Sequence, residues 1–487
     1  MNPSSSTPGC FSGIFSRLHR RVQREQPPPS ESNDNIAPSS SKIPFLNTNA
    51  ALQRPVEFSS PCCDFSYRCE LQGTDAPPSY SVALEAQDGT ASTDVSVVHT
   101  IEHTLDSVNL KLRMLSLDIH AHPEIMFEEK YAHDLLTDFL IGQGFQVTKH
   151  YLGLSTAWRA EFSFGKGGRV VGINSEMDAL PGIGHACGHN LIAVAGVGIA
   201  LALKAALLEH RIPGKVVLLG TPAEEAKGGK VKLLDRGGYQ DMDICLMCHP
   251  APGDPLSASI GPTIAMQPIE VEFFGHSAHA GAAPWEGTNA LDAAFLAYSS
   301  VSMLRQQMKP DHRVHGVING HDWSPNVIPD YAKMRWLVRA PTVGEMTALV
   351  QRVQDCFRAA ALATACSVEV SLDVPYYDLR QNQVLAQHFA DVVGSRYCMR
   401  TISAGSTAST DFGNISYVLP VIHPAFAIPT VPHGGNHTPA FAKAAASQAA
   451  HEAMMLTSKG LALTGMRAIT DPGFFAAIQA EHKARHK

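Results

Sequence analysis

Charge is scarce in this chain and not weighted to the positive side: only 17% of its 487 residues are charged, and the formal net charge is −7. No basic stripe crosses the part of the sequence with folding character, so there is no electrostatic footing for nucleic acid or an anionic membrane. A secretory leader is also missing from the opening residues, and the ten cysteines have no regular spacing. These absences argue against a disulfide-stapled secreted scaffold and favour a reducing, cytoplasmic setting. Long apolar runs are few. The longest, residues 191–208, could suggest a membrane span by length, but it carries Lys204 and two glycines and directly follows a loop of candidate ligands. A helix buried beneath a site is the expected form, with no membrane as partner.

What remains is a chain with 45% apolar residues, long enough for two domains with real cores. Residues 1–92 stand apart, rich in Ser, Pro and Asn with stretches such as Gln26-Pro-Pro-Pro-Ser30. Such a segment cannot bury enough apolar surface to offset its ordering entropy, so disorder is expected. Within it, Arg17, Arg20, Arg21 and Arg24 precede the first acid, Glu25. A basic patch in a cytosolic tail is the preferred reading, and a mitochondrial presequence is the alternative.

The segment from Glu176 to Asn190 carries most information. Cys187 and His189 lie two residues apart, beside Gly184 and Gly188, between a strand-like run (170–174) and the long apolar stretch. A thiolate beside an imidazole suits zinc or a similar divalent ion, and a thiolate can bridge two ions. An isolated pair of this kind more often means a buried structural cysteine and a surface histidine. Repetition downstream shifts the balance. The apolar run 215–220 ends in Thr-Pro-Ala-Glu224-Glu225, and the run 243–248 ends in His249-Pro250. Three apolar strands ending in ligand-type residues match the placement of sites in open α/β sheets. Adjacent glutamates cannot both face one ion equally, which leaves one to ligate and one to hold a proton near water. A solvated acidic pair at a helix start is the plainer reading. Further on, His433 and His437 occur in a Gly/Pro-rich stretch with little need of histidine for packing, in a chain with 23 histidines.

With these residues in view, the chain resembles the dinuclear-metal peptidase family of the aminoacylases, carboxypeptidase G and the plant auxin-conjugate amidohydrolases. Four segments carry the likeness: Glu-Met-Asp-Ala-Leu-Pro181, His-Ala-Cys-Gly-His-Asn-Leu-Ile-Ala193, Pro-Trp-Glu-Gly-Thr-Asn-Ala-Leu-Asp-Ala-Ala294 and Ser-Thr-Asp-Phe-Gly-Asn414. They are most similar to the Xaa-Arg (β-alanyl-lysine) dipeptidase branch, from about Val98 onward. Asn190, Ile192 and Glu176 depart from the broader pattern in the manner of that branch.

The resemblance implies two divalent ions per subunit, zinc first, with manganese or cobalt accepted by the same donors. It makes Cys187 their bridge, with Glu225 and His437 completing one site and His189 and His249 the other. Glu224 becomes the general base, and Asp178 and Asp411 the outer carboxylates that orient ligands. The implied substrate is a Xaa-Lys, Xaa-Arg or β-alanyl dipeptide. An aminoacylase or conjugate amidohydrolase acting on an N-acyl amino acid or a secondary-metabolite amide is the alternative, and a non-catalytic dimeric binding protein is a third.

From about residue 267 the pattern turns to strand (269–273), helix (289–307), strands (314–318 and 331–338), helix (343–363) and strand (367–372). That order is ferredoxin-like. It resembles the family's inserted lid and homodimerisation domain, which gives an α/β zinc-exopeptidase-like catalytic domain in two segments, 93–266 and 376–487, around an α+β lid at 267–375. By the same likeness, His279 reaches the partner subunit's site and stabilises an oxyanion, while Asn326 and Arg339 contact substrate.

Overall fold

The computed structural model describes residues 94–320 and 322–485, so the expectations of disorder and targeting for residues 1–92 fall outside the described residues. The strands in chain order are β1 (Gln146–Lys149), β2 (Trp158–Phe164), β3 (Val170–Glu176), β4 (Gly214–Thr221), β5 (Ile244–Leu246), β6 (His249–Pro252), β7 (Ser257–Ser259), β8 (Ala265–Phe274), β9 (Arg313–Asn319), β10 (Tyr331–Ala340), β11 (Ser367–Leu372), β12 (Arg400–Ile402), β13 (Val421–Ile422) and β14 (Ala425–Ile428).

A six-stranded sheet in the order β1-β2-β4-β3-β5-β13 forms the centre. Strands β4, β3, β5 and the edge strand β13 run parallel, while β1 and β2 join antiparallel at the other edge. Runs such as Val216-Val-Leu-Leu219 are apolar throughout because helices cover both faces of a parallel sheet, and all four side chains are buried. Glu176 pairs in register with Thr221, so β3 and β4 end side by side and release their following loops at one edge.

The helix His189–Glu209 packs against this sheet and against the helix Val95–Ala121. Among the described residues it alone is long and apolar enough to cross a membrane, but 83% of its most apolar window is buried inside the protein. Its hydrophobicity all round is that of a core helix.

A second four-stranded sheet, β12-β7-β14-β6, was not anticipated from the sequence. Its strands have only three or four residues each, and β6 reads His-Pro-Ala-Pro, where two prolines hide the extended backbone.

The third sheet runs β11-β8-β10-β9, all antiparallel, with helices Ala290–Met303 and Val343–Thr364 packed on it. Strand, helix, strand, strand, helix, strand in this order is the ferredoxin-like arrangement. Alternation sets the register: Ala332, Met334, Trp336, Val338 and Ala340 all point into its own core. Asn289 caps the first helix through its side chain, and Thr342 caps the second. The first helix ends at Met303, and the chain continues as a 3₁₀ turn, Leu304–Gln307.

Candidate metal centre

Four loops supply the site. After β3 come Glu176 and Asp178, and then a tight loop delivers Cys187 before the helix opens at His189. Gly188 makes that turn in the left-handed region with φ +77°, and the Pro250 ring lies 2.5 Å from where a β-carbon would sit. Both conditions call for glycine. After β4, Ala223 is also left-handed, with φ +58°, and the chain reverses to present Glu224 and Glu225. His249 opens β6, and His437 comes from the loop before the helix Pro439–Ala445. His437 has φ +66° and is fixed by its N–H donating to the Ala186 carbonyl at 2.8 Å. Strained non-glycine backbone at Ala223 and His437 thus sits at the two places where the chain must turn a donor inward.

The proposed ligands converge in two triads, and Glu176, His189 and Glu224 make a third close group beside them. Donor atoms of Cys187, His189 and His249 lie within 4.8 Å of one another, and so do those of Cys187, Glu225 and His437. Cys187 belongs to both. Its Sγ is 3.3 Å from His249 Nε2, and His437 Nε2 is 3.4 Å from Glu225 Oε2. Asp178 serves one member of each triad: Oδ1 lies 3.1 Å from His189 Nδ1, and Oδ2 accepts from the Glu225 backbone N–H at 3.0 Å. The imidazole is thereby oriented with Nε2 inward. His189 Nε2 and Glu225 Oε1 are both buried without a hydrogen-bond partner among the described residues, 3.7 Å apart. Orphaned buried donors and acceptors of this kind are rare, and here they face a set of sulfur, nitrogen and oxygen ligands that suits divalent cations. The residues fit a pair of such ions.

The electrostatics of the protein alone fit as well. Burial, with the nearby charge of Glu225, pushes the Cys187 thiol up. Burial opposes charge on His189, yet Glu176 and Asp178 hold its imidazole well above the ordinary value. Burial lowers His249. Glu224 is raised by burial first and then by Glu176, Glu225 and Asp411. Much negative charge is concentrated here for the side chains to carry unaided, and cations held by these residues would compensate it and favour the thiolate. Glu224 Oε2 lies 3.9 Å from His189 Nε2, at the edge of the cluster, and Tyr376 anchors its backbone by donating to the Glu224 carbonyl at 2.5 Å.

Asp411 orients none of the five proposed ligands directly, contrary to the role expected of it. Its oxygens accept from the Lys230 ammonium at 2.6 Å and from the Lys230 backbone N–H at 2.9 Å. Lys230 is fully buried and also donates to Glu176 Oε1 at 2.6 Å. This ion triad went unseen in the sequence because a lone lysine after two glycines reads as a solvated side chain. Glu129 was missed for the same reason. It is buried, accepting from the Thr156 hydroxyl at 2.7 Å and the Ala223 N–H at 2.9 Å, and so fastens the turn before Glu224.

His279 and Asn326 come together on the ferredoxin-like module, with the Asn326 amide 3.4 Å from His279 Nε2. His279 Nδ1 accepts from the backbone N–H groups of Gly281 and Ala282, which leaves the ring proton on Nε2. The ring is exposed, and no hydrogen bond or ion pair among the described residues links it to the metal-centre side chains. Arg339 is partly buried, donates to Ser409 Oγ at 3.0 Å and has no carboxylate partner among the described residues; burial pulls its pKa down.

The profile of Peptidase family M20/M25/M40 matches residues 172–478. The Xaa-Arg dipeptidase of Mus musculus is 42% identical over 398 residues, spanning 78% of this chain and 91% of that protein. The Xaa-Arg dipeptidase of Homo sapiens is 39% identical over 401 residues, with the same shares of 78% and 91%. In fold, the chain is similar to a dinuclear metal-binding peptidase of the M20 family from Bacillus subtilis, with a TM-score of 0.58 and 21% identity over 75% of this chain and 99% of that one. On this evidence the chain belongs to peptidase family M20/M25/M40 and is a metal-dependent hydrolase.

Proposed function

We propose that this protein is a dipeptidase that hydrolyses the amide bond of Xaa-Lys, Xaa-Arg or β-alanyl dipeptides, with two zinc ions held by Cys187, His189, His249, Glu225 and His437. The observation that carries this reading is the pair of ligand triads sharing one sulfur, with Glu224 beside them. Bound there, divalent ions supply Lewis acidity for the amide carbonyl and make water acidic enough to ionise near neutral pH. Glu224 takes the proton from the attacking water and passes it to the leaving nitrogen. Asp178 keeps His189 and the Glu225 backbone in place while charge redistributes.

His279, whose Nδ1 accepts from two backbone N–H groups, has Nε2 left to donate to a developing oxyanion. Its exposure, with no hydrogen bond or ion pair to the metal-centre side chains among the described residues, supports a homodimer in which the module of one subunit serves the site of the other. Arg339, a half-buried guanidinium without an acid, is suited to the free carboxylate of a dipeptide, with Ser409 steadying one arm. Turnover of β-alanyl-lysine, Xaa-Lys and Xaa-Arg dipeptides by the zinc-loaded protein tests the reading beside N-acetyl and N-aroyl amino acids. Preferred cleavage of the dipeptides is expected. Preference for N-acyl amino acids would replace the dipeptidase with an aminoacylase on the same centre.

A further inference from the structure

The loop residue between Gly435 and His437 has no part in the chemistry above. Asn436 Nδ2 lies 3.7 Å from Cys187 Sγ and 3.3 Å from the Pro250 carbonyl oxygen. Both neighbours accept, so both are served by the amide NH₂, which has two hydrogens to give. The Pro250 carbonyl has a second donor, His249 Nδ1 at 2.7 Å. That bond puts the His249 proton on Nδ1 and leaves Nε2 free toward Cys187 Sγ, 3.3 Å away. One half-buried amide therefore touches the sulfur common to both triads and the carbonyl that orients an imidazole of one triad. Its own chain neighbour, His437, belongs to the other.

We infer that Asn436 is a positioning residue of the metal centre, whose amide donates to the shared Cys187 sulfur and, through the Pro250 carbonyl, braces His249. The inference rests on the dinuclear reading of the preceding subsection. A hydrogen bond to a bridging thiolate withdraws charge from sulfur that would otherwise be shared with the cations, and hydrogen bonds of this kind tune metal–sulfur centres elsewhere. Losing the donor raises the energy of the sulfur lone pairs. The sulfur-to-metal charge-transfer transition then moves to lower energy, an effect that simple loosening of a loop does not produce.

The test is the electronic spectrum of the full-length protein loaded with two equivalents of cobalt(II), comparing the natural chain with Asn436→Leu, Asn436→Asp and Asn436→Ser. Leucine removes the donor, aspartate keeps the shape without a donor, and serine restores one in the form of a hydroxyl. The sulfur-to-cobalt band is expected at longer wavelength in the leucine and aspartate variants, and serine should return it toward its original place. A fall of roughly 10- to 100-fold in kcat/KM should accompany the shift, the usual cost of losing an outer partner of a metal ligand. Should the leucine variant fail to fold, the aspartate variant answers the same question. Unmoved bands with both ions bound overturn the role of Asn436 and leave the dinuclear centre intact. A natural chain with no sulfur-to-cobalt band overturns the dinuclear centre itself, and this inference with it.

Discussion

Glu129 offers the sharpest connection between a buried charge and the working geometry of Glu224. Its carboxyl is raised from the ordinary 4.5 to about 7, first by burial and then by the charge of Asp178, against the bonds from Thr156 and Ala223. Below pH 4.5 the group is protonated in folded and unfolded chains alike and adds no pH dependence. As pH rises from 4.5 to about 7 the unfolded chain releases this proton while the folded chain keeps it, so stability falls through that window. At about 1.4 kcal/mol per tenfold difference in proton affinity, the loss is about 3 kcal/mol above pH 7. Glu129→Gln keeps an acceptor for the Ala223 N–H and cannot ionise, so it should remove this dependence. Glu129→Ala instead strands a buried N–H and a buried hydroxyl, at about 1–3 kcal/mol each. It also releases a left-handed alanine whose conformation costs roughly 1–2 kcal/mol. Urea unfolding of the metal-free full chain at pH 5 and pH 8 measures the difference. The glutamine variant is expected to gain on the natural chain between the two pH values, and the alanine variant to be the least stable at both. After zinc loading, glutamine should keep kcat within a few-fold, while alanine loses about 10²-fold through misplacement of the base. Equal pH dependence in the natural and glutamine proteins would mean that the folded chain does not hold the Glu129 proton more tightly than the unfolded one.

Other expectations follow from the same geometry. Glu224→Gln should bind both ions yet lose about 10²- to 10⁴-fold in kcat, checked by metal content and steady-state rates on one preparation. If the proposed homodimer forms, mixing Glu224→Gln with His279→Ala and allowing subunits to exchange should recover activity beyond either parent, since only a mixed dimer would pair an intact Glu224 with an intact His279. No recovery would place His279 outside the partner's site. Arg339→Met should raise KM for dipeptides by about 10- to 100-fold, the value of a charge-assisted bond of about 1.5–3 kcal/mol, with a smaller change for amidated substrates. Lys230→Met leaves Glu176 and Asp411 buried without their cation and should cost about 3–5 kcal/mol, read as a lowered urea midpoint.

Much of the site was legible because ligand chemistry is tied to local signals. Cys187 and His189 stand beside glycines at a strand end, and Glu225 and His249 follow apolar runs that could only be buried strands. The strand and helix order of the ferredoxin-like module could be read from periodicity, since Ala332 to Ala340 alternate cleanly and Asn289 and Thr342 are visible caps. What escaped depends on tertiary burial. Glu129 and Lys230 look like surface charges, and only the folded chain shows them enclosed among carboxylates and backbone donors. Asp411 took the expected neighbourhood but a different partner, because Lys230 intervenes between it and the ligands. The small sheet of β6, β7, β12 and β14 has strands too short to announce themselves, and two prolines obscure β6.

Metal content decides whether one sulfur is common to two ion sites. The natural chain and the variants Cys187→Ala, His249→Ala and His437→Ala are equilibrated in zinc-buffered solution and analysed for zinc per chain. Two ions are expected in the natural protein, one in each histidine variant, and weakened retention of both in Cys187→Ala. A natural chain holding no more than one ion, or a Cys187→Ala variant keeping both as tightly as before, would rule out a sulfur shared by two ions.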